Sequence, residues 1–444
     1  MLRPSSLILA VLLAAGATRA RAQEALPIEA RRLANGMRVI LAPDPSLDDA
    51  TVVVRYGVGS ADDPPGKDGL AHFVEHLMFS GTAHVPAYAQ MRLIEGAGGW
   101  GVNGETRDDT TIYLETVPPE RLPLALWLES DRMGFAAGHW TTRDASRERA
   151  AMANELRQRV LDQPLGALQF FATAELFPPW HPYHRGFDLS ALDDLSLRDA
   201  RAFVRTWYGP RNATLIVAGK FEPAALMPLI ERDFGDLVGA PPPARPTLPA
   251  TWPTPLVRVD VAADVPRPLV IFAWRAPPLG RPGDAALDLA ARILAGPHGR
   301  LQRALVTPGL AVSVSADENS AWRGSIFEVS AALARDVKYD DAIRAIEGEL
   351  HALWRGVSAD ECEHARRASQ ATALLGLETS ADRARRLARV GGWGLHTHDA
   401  LQPTDVLRAV RTSLVDASRV VLVVHPDPGA PPYGWPYRRV EMRP

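Results

Sequence analysis

Between Pro241 and Pro255 the chain places seven prolines in fifteen residues, mixed with Ala and Thr. Such a run is a stiff, extended linker that neither helix nor sheet interior accommodates. It divides the chain into residues 23–240 and 256–430, followed by a tail over 431–444. The 444 residues are enough for several cores. Hydrophobic residues make up 46% and charged residues 23%, which excludes wholesale disorder and a multispanning membrane protein. With 49 Lys+Arg against 52 Asp+Glu, the net charge of -3 leaves no global electrostatic footprint for nucleic acid.

Residues 1–22 read as an export signal. Arg3 precedes an apolar core from Leu7 to Ala17, and Ala20-Arg21-Ala22 forms an A-x-A site before Gln23. The core is too short for a spanning helix, which needs about 20 apolar residues. Retention as an anchor is the alternative. The mature chain is therefore expected to be periplasmic or secreted, with no stable membrane span. Its single cysteine, Cys362, permits no intramolecular disulfide, and its Glu361-Cys-Glu363-His364 setting supplies no clear set of metal partners, so it reads as a passive thiol.

Both halves carry the same kinds of element. In the first, Arg38–Leu41 and Thr51–Val54 are β-branched runs after an Asn35-Gly36 turn, and an amphipathic stretch runs from Gly69 to Phe79. In the second, strand-like Leu256–Val261 and Leu269–Ala273 precede a helix from Asp284 to Ala295. Each closes on a late apolar strand, Ala213–Ala218 and Val420–Val424, and Ile343, Ile346, Leu350, Leu353 and Trp354 recur at helical spacing. This pattern predicts an internal duplication. Laying Gly81 on Gly296 puts His72, Glu75 and His76 on Leu287, Ala290 and Ala291, a scaffold without the polar chemistry.

His72-Phe73-Val74-Glu75-His76 is the most informative segment. Residues four apart share a helix face, so the two imidazoles can serve one ion while Phe73, Val74, Leu77 and Met78 face a core. A catalytic zinc normally takes three protein ligands. Downstream, Asp144 can cap a helix that runs through Arg147–Arg159 and stops before Gln163-Pro164. Glu148 and Glu155 lie seven apart on one face of it. Either could supply the third ligand, and surface salt bridging to the neighbouring arginines is the alternative for both.

These residues resemble the inverted zincins of the pitrilysin, insulinase and mitochondrial processing peptidase family. The likeness rests on His72-x-x-Glu75-His76, on Asn154-Glu155 79 residues beyond His76, and on Glu148 seven before Glu155. It extends to Gly57-Val58-Gly59-Ser60, Gly69-Leu70-Ala71, Phe79-Ser80-Gly81-Thr82, the stretch Asn103–Tyr113, Arg157-Gln158 and Gly309-Leu310-Ala311. The resemblance implies an α/β fold of two homologous halves, each a β-sheet packed by helices, closing as a clamshell around a peptide chamber. It implies zinc on His72, His76 and Glu155, with Glu75 as general base, Glu148 as a supporting carboxylate and Asn103 against substrate. It further implies peptide hydrolysis, and a strand near Thr110–Thr116 that receives substrate by backbone pairing, giving broad peptide tolerance.

One departure stands out. The family's arginine and tyrosine of the second half correspond here to Arg303 and to Gly309-Leu310-Ala311-Val312, so the tyrosine is missing. A zinc-bearing subunit that works with a homologous partner supplying Arg and Tyr, or as a homodimer, is therefore expected. A non-catalytic structural or peptide-binding subunit is the alternative. Gly96–Gly101 matches G-x-G-x-x-G but follows a helix-like segment and precedes a strand, the wrong context for a phosphate cradle. His181-x-x-His184 and His396-x-His398 read as surface or packing histidines.

Overall fold

The computed structural model describes residues 28–441, except 164, 165, 167, 185–188, 250, 251, 254, 255, 390–397 and 431–437. The export signal and His396 lie outside the described residues. The first half contains strands β1 (Glu29–Arg32), β2 (Arg38–Pro43), β3 (Ala50–Tyr56), β4 (Trp100–Thr106), β5 (Thr111–Val117) and β6 (Ala213–Gly219). Its helices are α1 (Leu70–Leu77), α2 (Ala89–Gly96), α3 (Leu122–His139), α4 (Thr142–Leu156), α5 (Leu168–Leu176), α6 (Leu197–Trp207) and α7 (Pro223–Phe234). The second half has β7 (Val257–Ala263), β8 (Leu269–Ala276), β9 (Ala311–Asn319), β10 (Ser325–Leu333), β11 (Val420–Pro426) and β12 (Arg438–Glu441). With them come α8 (Asp284–Ala295), α9 (Tyr339–Arg355), α10 (Ala359–Leu375), α11 (Ser380–Arg389) and α12 (Pro403–Ser413).

The sheets have one topology. Their orders are β1-β2-β6-β3-β5-β4 and β12-β7-β11-β8-β10-β9. The parallel pairs, β2 with β6 and β7 with β11, occupy the same station in each. The fold is thus α/β with a duplicated sheet. β12 pairs with β7, so the second half extends past residue 430, and the expected tail over 431–444 supplies an edge strand. β5 is paired on both sides, by β3 and β4, so it cannot receive a further strand; β4 is the open edge.

The central strands β6 and β11 are buried on both faces, which explains their uninterrupted apolar runs. On one face of the first sheet, Val39, Val52, Val54, Tyr113 and Val217 pack with Phe73, Val74 and Leu77 of α1. The opposite face, with Ile40, Val53, Ile112, Leu114 and Ile216, is covered by Ala384, Leu387 and Ala388 of α11, from the second half. Reciprocally, α5 of the first half sets Leu168, Phe171, Ala172 and Leu176 on Val257, Val259, Ile271 and Leu422 of the second sheet. The halves exchange helices.

Two local details differ from the sequence reading. The α4 cap is Thr141, whose hydroxyl accepts from the Asp144 N–H while the Asp144 carboxylate accepts from the Thr141 N–H, a capping box. Asp144 is its third helical residue and not the cap. The duplicated helices α1 and α8 both start after a left-handed glycine, Gly69 (φ 89°) and Gly283 (φ 100°). Aligning these caps shifts the register by one, so His72, Glu75 and His76 correspond to Ala286, Leu289 and Ala290, again all apolar and buried.

Candidate active site

The site begins with the cap of α1. Asp63 accepts hydrogen bonds from the N–H groups of Gly69 (2.9 Å) and Ala71 (2.8 Å), which satisfies donors orphaned at a helix start. Gly69 also admits α4, since a β-carbon there would meet the Met152 Cε at 2.9 Å. Phe73, Val74 and Leu77 are fully buried, so α1 has no freedom to roll and its polar edge is held toward α4.

That edge carries His72 and His76, whose Nε2 atoms lie 3.2 Å apart. Glu155 of α4 completes a triangle. Its Oε2 is 3.1 Å from the His76 Nε2 and its Oε1 is 3.6 Å from the His72 Nε2. Among the described residues this is the one group of three or more His, Cys, Asp or Glu side chains whose donor atoms converge as metal ligands would. A tetrahedral zinc with bonds of about 2.0–2.1 Å has ligand–ligand edges of about 3.3–3.4 Å, so the three donors fit that ion. Glu75 stands outside the triangle. It is buried, and its Oε2 accepts from the Thr106 hydroxyl at 2.6 Å.

Glu148 reaches the other nitrogen of His76, with Oε2 3.6 Å from Nδ1. Its Oε1 accepts from Ser80 Oγ (3.0 Å), Arg147 Nε (3.0 Å) and the Tyr88 hydroxyl. Tyr88 holds that place with a left-handed backbone (φ 57°), unusual for a bulky residue. A carboxylate at this charge-contact distance favours a proton on Nδ1, the tautomer that leaves Nε2 free to ligate. Burial disfavours the His76 cation, yet Glu148 and Glu155 outweigh it and push its pKa up to about 9 in the metal-free chain. Hydrogen bonds from His72 and His76 hold the Glu155 carboxyl well below its ordinary range. Burial works against ionised Glu148, but His76, Tyr88, Arg147 and Ser80 bring its pKa down as well.

Tertiary packing thus brings together His72, Glu75, His76, Glu148 and Glu155. Asn103 is exposed on β4 and does not join them. Gly104 and Thr106 face Glu75, and alternation along a strand directs Asn103 to the opposite face. Ser80, Gly104 and Thr106 lie within the stretches that carry the family likeness but have no role assigned from sequence, and Tyr88 lies outside them. Two-residue periodicity links Gly104 to Thr106, but nothing in it says which face meets α1.

In the second half Arg303 is exposed and donates to the carbonyl of His298, and Val312 is exposed on the edge strand β9. His181 is buried, with burial lowering its pKa to about 4, and its Nδ1 accepts from the Tyr183 N–H. It packs, as does buried Cys362. No helix among the described residues is long and apolar enough to cross a membrane.

Residues 38–164 match the family model described as insulinase (peptidase family M16), and residues 194–369 match that described as the peptidase M16 inactive domain. The chain belongs to the M16 peptidase family. Among similar proteins, the zinc protease PqqE of Helicobacter pylori is 28% identical over 377 residues, covering 81% of this chain and 83% of the relative. A zinc protease of Mycobacterium tuberculosis is 30% identical over 381 residues, covering 84% and 85%. The crystal structure of a protease from Helicobacter pylori superposes with a TM-score of 0.82 at 25% identity, over 90% of this chain and 99% of that one.

Proposed function

We propose that this chain is a zinc-dependent endopeptidase that hydrolyses peptides or unfolded segments outside the cytoplasm. The observation that carries the reading is the His72–His76–Glu155 triangle with buried Glu75 beside it but outside it. When bound, zinc supplies Lewis acidity that makes a water acidic near neutral pH and polarises a carbonyl. His72 and His76 offer neutral Nε2 atoms, and Glu155 offers the anionic oxygen. Thr106 anchors the Oε2 of Glu75, leaving Oε1 without a hydrogen-bond partner among the described residues. Through Oε1, Glu75 takes the proton from the attacking water and returns it to the leaving amine. The open edge of β4 presents backbone groups for an extended peptide, with little demand on side-chain identity.

The test is bound-metal analysis with cleavage of a mixed peptide library by the mature chain and by Glu75→Gln. One zinc per chain in both is expected, with turnover lowered about 10²–10⁴-fold in the variant. Normal turnover by zinc-replete Glu75→Gln refutes the base assignment. A wild-type chain that takes up no zinc refutes the whole reading.

Exposed Val312, where active relatives of this family often carry a tyrosine, favours a second arrangement. In it the chain carries the metal site and a homologous subunit, or a second copy, supplies the missing arginine and tyrosine. In the limiting case the chain is itself a non-catalytic, peptide-binding subunit. Turnover that rises when a homologous subunit is added supports the division of labour, and full turnover by the isolated chain rules it out.

A further inference from the structure

A cavity of about 340 Å³ lies where the halves meet, lined by Arg55, Asp109, Asn212, Arg245, Trp322 and Arg323. It shares no residue with the zinc ligand set. Arg55 comes from β3, Arg245 from the proline-rich linker and Arg323 from the turn between β9 and β10. Two of these three cations are matched. Arg245 forks onto Asp62 (2.9 and 2.8 Å). Arg323 donates to Asp62 (2.5 Å) and lies 3.1 Å from Asp109. Asp109 also accepts from the Trp322 N–H and the Tyr183 hydroxyl.

Arg55 is the unmatched cation. No described residue accepts a hydrogen bond from it or pairs with it, its Nε is buried without a partner, and its guanidinium lies 5.9 Å from the centre of the Trp322 ring. Burial, with Arg38 and Arg245 nearby and only Asp109 opposing, lowers its pKa to about 10. A guanidinium so placed is costly without a counter-charge. The duplication provides a comparison. Arg275 has the same penultimate station in β8 that Arg55 has in β3. There the Trp252 ring closes onto the guanidinium at 4.1 Å, whereas around Arg55 the space stays open.

We propose that this cavity binds a small oxyanion, a carboxylate or a phosphate, with Arg55 as its counter-charge. Guanidinium groups suit both through paired N–H donors. Because the lining comes from both halves and the linker, the bound anion ties them together. The inference does not depend on the peptidase reading.

The test is equilibrium binding to the full mature chain at constant ionic strength, with phosphate or acetate replacing chloride. One saturable site is expected, with Tm rising as the anion is added. Binding of phosphate alone identifies a phosphate ligand, and binding of acetate alone a carboxylate. Arg55→Met is expected to weaken the site at least tenfold, and Arg55→Lys to recover part of the loss. An isotherm unchanged in Arg55→Met, as for an anion held at the His pair, overturns the proposal; so does saturable binding of neither anion. Should Arg55→Met fail to fold, crystals of the unaltered chain soaked in selenate or 4-bromobenzoate decide the matter. An anomalous peak within hydrogen-bond distance of Arg55 supports the site, and peaks only elsewhere, or none, overturn it.

Discussion

A β-carbon added at Gly104 would lie 2.8 Å from both the Cγ and the Oε1 of Glu75, so the edge strand runs as close to Glu75 as a backbone can. Gly104→Ala is therefore expected to retain zinc while lowering kcat about 10²-fold, the cost of misplacing a reacting group by about 1 Å. Thr106→Val removes the anchor of Oε2 and is expected to lower kcat, with Thr106→Ser restoring it; bound metal and KM should change little in either. A second consequence concerns the proton on His76. Raised to about 9, its protonated form pairs with Glu148 and Glu155, stabilising the metal-free fold below pH 6.5. That contribution is lost as the pH rises through about 9. Zinc must displace the same proton, so apparent zinc affinity is expected to climb by up to about tenfold per pH unit from neutral to about 9, then level off. Chelator competition across this range, corrected for the chelator's own titration, measures it. The pentapeptide made the imidazole pair and its neighbour Glu75 legible, because helical spacing alone puts the three on one edge. Gly104 and Thr106 were not legible, because their meaning depends on which strand crosses α1.

Helix α4 does for the site what no single residue does. It carries Glu148 and Glu155 two turns apart, and its buried Ala145, Glu148 and Met152 fix the helix against α1. The seven-residue spacing showed that the two carboxylates share a face. It did not say which one meets the imidazole pair, and both in fact meet His76, at different ring nitrogens. Beyond Glu155 the helix widens into a π-type turn over Arg157–Leu161, where Arg159 pairs with Glu155 at 2.8 Å. The Thr141–Asp144 capping box anchors the other end, so Thr141→Ala is expected to cost about 1 kcal/mol of stability. Urea melts of the zinc-loaded chain should show a lower midpoint with an unchanged m-value. An unchanged midpoint would mean that packing on α1, and not the cap, sets where α4 starts.

Across the whole molecule, the exchange of α5 and α11 makes each half the lid of the other's sheet. Residues 23–240 expressed alone would leave Ile40, Val53, Ile112, Leu114 and Ile216 uncovered, a contiguous apolar face of the kind that drives association. That fragment is expected to bind a hydrophobic dye and to aggregate, and co-expression with residues 241–444 to suppress both; a monomeric, dye-silent fragment would show that α11 is dispensable. The linker is itself part of this joint. Arg245 bonds to Asp62 and to the carbonyl of Gly57, and the Trp252 indole donates to the carbonyl of Leu176. Reading along the chain was sufficient for the repeated order of strand and helix in the two halves and for the helix bearing the imidazole pair. Both are periodicities or short spacings, set by local geometry. Folding in three dimensions decided which glutamate meets which ring nitrogen, that β4 and not β5 is the open edge, that β12 belongs to the second sheet, and that Arg55 faces a cavity. These depend on contacts between residues far apart in sequence, where the same alternating pattern is compatible with either face of a strand and with any neighbour.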